Sequence, residues 1–406
     1  MKILFITSQP PSATGSGGEL RSFYFLRAMA QFADVHCVFS SPSPDASFSD
    51  IESLAVLGVS AISREEFGPG SARLTRGGRL NEIYSLLRRE PWSVADYASE
   101  QLRTALHSLV DKLEFDVIIA RHTTSAYWFL RDKGLAAYLP RLIVDVDDVK
   151  VGREISQSPR VRLDRWMEFL FHRRLAKAGA VTTASDDDKV YIERLAISDH
   201  CVVVPNIYIP PDEHFSRHGV NELNLSEKYI LFCGQMSYGP NEEGLRYFIN
   251  DIWPILSGMD PDLQCLVIGR GGSEALAAAA REAGLDYRGE VASTAPYYSA
   301  ARAAIVPLLS GFGTRIKILE SLYCGTPVVS TSKGAEGLAV SNDRDILLAD
   351  TAGEFSAAVI KILQMTPDQL TTRIANGREL ITRHYSEDAV VNGLREAIHL
   401  LDRSPS

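Results

Sequence analysis

At 406 residues the chain exceeds one ordinary hydrophobic core, which sets an expectation of two domains of roughly 200 residues each. Its 45% hydrophobic and 23% charged residues are those of a globular protein, and a net charge of −9 argues against a coat for nucleic acid. No apolar run reaches the ~18 residues of a membrane span.

The first residues, MKILFITSQ, carry one Lys ahead of a very short apolar run and read as a first strand, not as a cleavable leader. A glycine-rich turn, TGSGGELRS, leads into the helix GELRSFYFLRAMAQF and then the strand VHCVFS. FDVIIAR, RLIVDVDD, a long helix near 160–178, AVTTAS and CVVVPN continue the alternation. Strands that alternate with helices in this way predict a parallel sheet covered on both faces. Residues 206–228 hold Pro pairs, mixed charge and no periodicity, and are expected to be a linker.

The pattern then restarts with YILFCG and a helix near 241–257, followed by LQCLVIG and an Ala-rich helix after Gly272. LDYRGE, AAIVPLL, the helix within GFGTRIKILESLYCGTP, PVVST and DILLAD follow, and the chain ends in helices, the last within SEDAVVNGLREAIHLLDR. Two doubly wound halves are therefore expected, 1–205 and 229–385, with ligand chemistry at the carboxyl ends of their strands.

Five cysteines (Cys37, Cys201, Cys233, Cys265, Cys324) form no CxxC pair and read as reduced core residues of a cytoplasmic protein. The turn with Gly15, Gly17 and Gly18 admits close backbone approach at a helix N-terminus, where an anion is favoured, or it is a tight turn and nothing more. It lacks the GxGxxG spelling and an acidic end to the second strand, which argues against a dinucleotide site. His122 follows a strand and faces the carboxyl edge of the first sheet, either as a structural residue or as part of a site. Asp145, Asp147 and Asp148 have the look of a metal-binding DxD. On a strand end the first two share a side and the third points away, so loop hydrogen bonding competes with metal and no metal is expected.

In the second half, Gly234 ends a strand ahead of a helix that starts after Pro240, and Gly269 to Gly272 with Arg270 end the next. Arg288 to Val291 end a third. The fourth junction holds Gly313, Thr314 as N-cap, then Arg315, Lys317 and Glu320, with Ile316, Leu319 and Tyr323 expected to face the core. Lys317 and Glu320 share a face, either as a solvated pair or as a cation for phosphate and a carboxylate for paired sugar hydroxyls. Four successive junctions with Gly and polar or cationic residues describe a nucleotide cradle.

The order of these pieces resembles the retaining glycosyltransferases of the two-Rossmann-domain (GT-B) type, group 4 family. The resemblance runs through the Gly-rich first loop, PN at the linker, G.M.Y.PN..G, VIG, RG.V, G.GTR.K.LE....GTPVV and GAEGL. It is nearest to the branch that assembles bacterial polysaccharide and exopolysaccharide, and it covers nearly the whole chain. It implies an acceptor-binding domain at 1–205, a linker at 206–228 and a nucleotide-sugar domain at 229–385, with a closing helix at 386–406 that packs back on the first domain.

Position by position, the resemblance places Glu320 on the donor ribose, Arg315 and Lys317 on the diphosphate, and the Val291 backbone on the base. His122 would lie near the donor sugar, and Gly17 and Gly18 near diphosphate and acceptor. Gly234, Asn241, Arg270, Gly313 and Thr314 complete the expected donor site. The family's first glutamate would fall at Phe312, and its usual Arg and Lys of the second domain stand here as Gln235 and Asn241. The implied reaction transfers a hexose-type sugar from a nucleotide-diphosphate donor, UDP or GDP, to a glycan or lipid-linked acceptor with retention. No cofactor or metal is expected, and the implied place is the cytoplasm, with peripheral contact at the inner membrane face allowed. Two rivals remain: a sugar-nucleotide 2-epimerase on the same fold, and a non-catalytic nucleotide-sugar-binding partner of another transferase.

Overall fold

A computed structural model describes residues 1–8, 11–13, 15–39, 60–62, 100–147, 159–209 and 228–402. Asp148, most of the expected linker and the last four residues lie outside these segments. The chain divides into two compact units, one of Met1–Pro205 with Glu387–Ser406, the other of Asn206–Ser386.

In the first unit the elements run β1 (Lys2–Thr7), α1 (Gly17–Ala30), β2 (Asp34–Phe39), β3 (Ser60–Ile62), α2 (Glu100–Lys112), β4 (Val117–Arg121), α3 (Tyr127–Arg131) and β5 (Leu142–Val146). Then come α4 (Pro159–His172), β6 (Ala180–Thr183), α5 (Asp186–Arg194) and β7 (Cys201–Val203). The seven strands are parallel in the order β3-β2-β1-β4-β5-β6-β7. Strands β4, β5 and β6 are buried along their whole length, as continuous apolar runs in a sheet covered on both faces must be. The long helix expected near 160–178 ends at His172, and a 3₁₀ stretch, Arg173–Lys177, carries the chain onward.

The second unit runs β8 (Tyr229–Cys233), α6 (Gly239–Tyr247), α7 (Trp253–Met259), β9 (Gln264–Ile268), α8 (Glu274–Glu282), β10 (Asp286–Gly289) and α9 (Ala295–Ala300). It continues through β11 (Ala303–Val306), α10 (Ile316–Cys324), β12 (Val328–Ser330), β13 (Leu347–Leu348), α11 (Ala352–Leu363) and α12 (Pro367–His384). Its six strands are also parallel, in the order β10-β9-β8-β11-β12-β13. The helix expected across 241–257 is interrupted, since a π-helical turn, Phe248–Ile252, separates α6 from α7 and buries Phe248 and Ile252. The last helix, α13 (Glu387–Leu401), belongs to the first unit and packs on α1, β6 and β7.

Both sheets thus have the doubly wound order in which strands leave a central pair in opposite directions. The switch point lies between β1 and β4 in one unit and between β8 and β11 in the other. Crevices at such points, beyond the carboxyl ends of the strands, are where open α/β sheets bind ligands.

Candidate functional site

Beside the second switch point, the exits of β8 and β9 are drawn together through glycine. Gly269 has φ +144°, and a Cβ there would stand 1.7 Å from the Gly234 carbonyl oxygen. Gly234 in turn leaves room for a side chain from another element, because a Cβ on it would lie 2.7 Å from Lys317 Nζ. Lys317, in the first turn of α10, donates to Asn241 Oδ1 at 2.7 Å, and Asn241 Nδ2 donates to the Gln235 carbonyl at 2.8 Å. Asn241 is buried in the first turn of α6. The Lys317 ammonium thus lies against the loop that carries Gln235 and Asn241, reaching it from a different helix. Burial draws its pKa down to about 8, with Arg315 adding to the shift.

Glu320 lies one turn further along α10. Its Oε1 accepts from Thr294 Oγ1 beside α9, and the Tyr208 hydroxyl also bonds to it. Burial pushes the carboxyl up to about 7, against the pull of these hydrogen bonds and of Lys317. Among the described residues no ion pair joins Lys317 to Glu320, and both side chains are half-buried. The reading of a solvated helix pair does not describe them.

The loop before α10 differs from its expected form in three ways. The N-cap is Arg315, not Thr314, because the Thr314 hydroxyl is engaged by Asn206 Nδ2. The Arg315 guanidinium is buried against its own loop, donating to the carbonyls of Phe312, Gly313 (2.8 Å) and Ser310 (3.3 Å). It holds the loop in shape, and Gly313 takes φ +76° within it. The core-facing stripe is Arg315, Ile318, Leu319 and Leu322, leaving Ile316 and Tyr323 half-buried. Phe312, at the place of the absent glutamate, lies under the Lys333 ammonium 4.8 Å from its ring centroid.

Two further residues expected in the cradle stand on neighbouring loops. Arg270 is exposed, with its carbonyl accepting from Met236 N at 2.8 Å, and Val291 is half-buried past the end of β10. Gly269 N donates to the Gly289 carbonyl at 2.7 Å, which ties these two loops together.

In the first unit, Gly17 and Gly18 open α1, but the turn folds around a carboxylate of its own. Glu19 Oε2 accepts from Ser16 N at 2.5 Å, and a Cβ on Gly15 would lie 2.6 Å from that oxygen. The glycine at 15 is thereby explained by capping without a ligand.

At the carboxyl ends of β4 and β5 stands a charge network that sequence reasoning missed in part. Arg21, from α1, clasps Asp145 with Nη2 at 2.6 Å and Nε at 2.9 Å, donates to the Val204 carbonyl at 2.8 Å, and lies over the Phe25 ring. Thr182 Oγ1 donates to Asp145 at 2.7 Å. Arg121 and both members of the Arg21–Asp145 pair are fully enclosed. Arg121 Nη2 reaches Asp147 at 2.5 Å, and its Nη1 lies 2.7 Å from His122 Nε2. His122 Nδ1 lies 3.2 Å from the other Asp147 oxygen. Against the desolvation of its burial, the Arg121 guanidinium holds the Asp147 carboxyl well below the usual range. Asp145 and Asp147 are thus held by arginine. Among the described residues no three His, Cys, Asp or Glu side chains gather as a metal requires. The partners of this network lie far apart in sequence, and no local spacing records it.

Residues 227–365 match the family model described as Glycosyl transferases group 1. The chain is 26% identical over 290 residues to O-antigen chain mannosyltransferase B of Escherichia coli, covering 64% of this chain and 72% of that relative. It is also 26% identical over 152 residues to an uncharacterized protein of the cps region of Klebsiella pneumoniae, but that match spans 34% of this chain and 38% of the relative. Among solved structures, sucrose-phosphate synthase from Thermosynechococcus elongatus aligns over 100% of both chains with TM-score 0.73 and 17% identity. HepE from Anabaena, solved in complex with UDP, aligns over 98% of this chain and 100% of its own with TM-score 0.67 and 14% identity. The fold is that of the GT-B proteins, two Rossmann-like units, and the residues that match the group 1 glycosyl transferase model fall within the second.

Proposed function

We propose that the protein transfers a sugar from a nucleotide-diphosphate donor to a glycan or lipid-linked acceptor, with retention of configuration, in the assembly of a bacterial surface polysaccharide. The observation that carries this reading is the α10 constellation. Lys317 is pinned by Asn241 against the Gly234 backbone at a switch point, and Glu320 stands one turn on, held by Thr294 and Tyr208. A diphosphate would meet the ammonium and the N-termini of α6 and α10, and the carboxylate would take a pair of ribose hydroxyls. A uridine donor is favoured by the likeness to HepE, which is solved with UDP and with UDP-glucose, and the O-antigen mannosyltransferase relative favours a hexose.

Stabilising charge on the departing diphosphate is the largest task in such a reaction, and Lys317 is assigned that role. Arg315, turned into its own loop, is assigned to shaping the site. The resemblance gives His122 a role beside the donor sugar. No metal is assigned to the reaction, and EDTA should leave turnover unchanged; restoration by Mg²⁺ or Mn²⁺ after EDTA loss would oppose this. A peripheral membrane contact is assigned to α4, where Leu163 and Trp166 are exposed along with Arg162.

Phe312, in place of a carboxylate, favours a second reading in which the protein binds a nucleotide sugar without turning it over. Calorimetry with UDP-, GDP-, TDP- and ADP-sugars, followed by sugar release or transfer from the binder, separates the two. Binding with no turnover in the presence of acceptor glycans supports the second reading. Absence of binding to every nucleotide sugar opposes both.

A further inference from the structure

Hydrogen-bond chemistry at His122 decides which ring nitrogen carries the proton. A guanidinium has donors and no acceptor, so Arg121 Nη1 at 2.7 Å can only donate to His122 Nε2. Nε2 must then offer a lone pair. The ring proton is left on Nδ1, 3.2 Å from Asp147 Oδ1, an ion-pair distance without the alignment of a formed hydrogen bond. A doubly protonated ring would set an N–H against the guanidinium, and the opposite tautomer would do the same while leaving a lone pair facing the carboxylate.

The surroundings hold this arrangement from every side. Arg121 is fully enclosed, with Asp145 and Asp147 both near its guanidinium, at 3.8 and 2.5 Å. Asp145 is itself neutralised by Arg21 and fixed by Thr182. The His122 backbone is in the left-handed region, φ +66°, a conformation uncommon outside glycine. It is clamped there by His122 N donating to the Asp145 carbonyl at 2.8 Å and Ser125 N donating to the His122 carbonyl at 3.1 Å. The ring nevertheless keeps about a third of its surface open, with 30% of the side chain accessible.

We propose that Arg121 and Asp147 are positioning residues that lock His122 as the neutral, Nδ1-protonated tautomer. With Nε2 engaged by Arg121 and Nδ1 beside Asp147, the His122 ring presents a fixed face whose Nε2 lone pair is not open to a substrate proton. This deepens the transferase reading and rests on it in one respect: the acceptor hydroxyl's proton must then go to a group other than His122, such as an oxygen of the leaving diphosphate.

The test uses the full chain with ¹⁵N-labelled histidine and needs neither donor nor acceptor, so it stands apart from any failure to find turnover. Long-range H–N correlation spectra distinguish the two neutral tautomers and the imidazolium, and the His122 signals are assigned by their loss in His122→Asn. The wild type should show a protonated Nδ1 and a lone-pair Nε2. Asp147→Asn, whose amide oxygen can still accept from Nδ1, should keep the pattern, and Asp147→Ala should lose it. A wild-type His122 seen as the Nε2–H tautomer, as an imidazolium at neutral pH, or as a rapid average overturns the proposal. Retention of the pattern in Asp147→Ala overturns the role of Asp147. If Asp147→Ala does not fold, the wild-type and Asp147→Asn spectra still decide.

Discussion

Lys317 and Glu320 are separated by a single helical turn, and burial draws their titrations toward each other, to about 8 and about 7. A ribose clamp needs the carboxylate, which is lost as pH falls through about 7; a diphosphate clamp needs the ammonium, which is lost as pH rises through about 8. Nucleoside-diphosphate affinity, measured by calorimetry across pH 5.5 to 9.5, should therefore be bell-shaped with its maximum between those values, the alkaline limb beginning near the free lysine's value and levelling off only above the raised value of the complex. Glu320→Gln should remove the acid limb and weaken binding about tenfold or more at the maximum, since each charge-assisted hydrogen bond contributes ~1.5–3 kcal/mol. Unchanged affinity and an intact acid limb would assign the limb to another group. Lys317→Ala should reduce turnover more than donor affinity, because its charge matters most as the diphosphate leaves; an equal loss in both would mean uniform binding instead.

At the scale of elements, α1 and β5 are joined by a fully enclosed ion pair, Arg21 with Asp145. Removing one partner leaves the other charged and buried, so Arg21→Met should cost ~3–5 kcal/mol of stability in urea denaturation. Arg21→Met with Asp145→Leu should recover part of that loss, and a strictly additive double variant would show that the two are not coupled. The order of elements was legible from apolar runs such as KILFIT and YILFC, because strands buried on both faces must be continuously apolar. The start and register of α10 were not. Thr314 has the chemistry of an N-cap, but Asn206, more than a hundred residues away, engages its hydroxyl, and the helix begins one residue later than a Thr cap would set. Lys317 and Glu320 could be singled out by spacing, yet their partners Asn241, Thr294 and Tyr208 come from other loops, and no local pattern records that meeting. The Arg21–Asp145 contact, spanning 124 residues, was invisible for the same reason.

On the whole-molecule scale, the chain leaves its first unit at Pro205 and returns to it with α13, so one unit is built from two separated pieces of sequence. The returning helix is an integral part of that unit. Val390, Val391, Leu394 and Ala397 are buried along one face, and Gly393 lies so close to β7 that a Cβ would stand 2.8 Å from the Val203 carbonyl. Glu387 fastens its start to α1, pairing with Arg27 at 3.0 Å and accepting from Gln31 at 2.7 Å. Each buried aliphatic side chain contributes about 1.5–3 kcal/mol, so loss of three of them removes an amount comparable with the stability of a typical domain. Truncation after Ser386 should therefore unfold or strongly destabilise residues 1–205. Residues 206–386, which form their own sheet and core, should keep their transition. Nucleoside diphosphate at 100 times its dissociation constant should stabilise only that second transition, by ~2.7 kcal/mol. Calorimetry of the full and truncated chains, with and without ligand, checks this. A single transition lost altogether on truncation would show that the second unit depends on the first, and a ligand shift confined to the first unit would move the donor site away from α10.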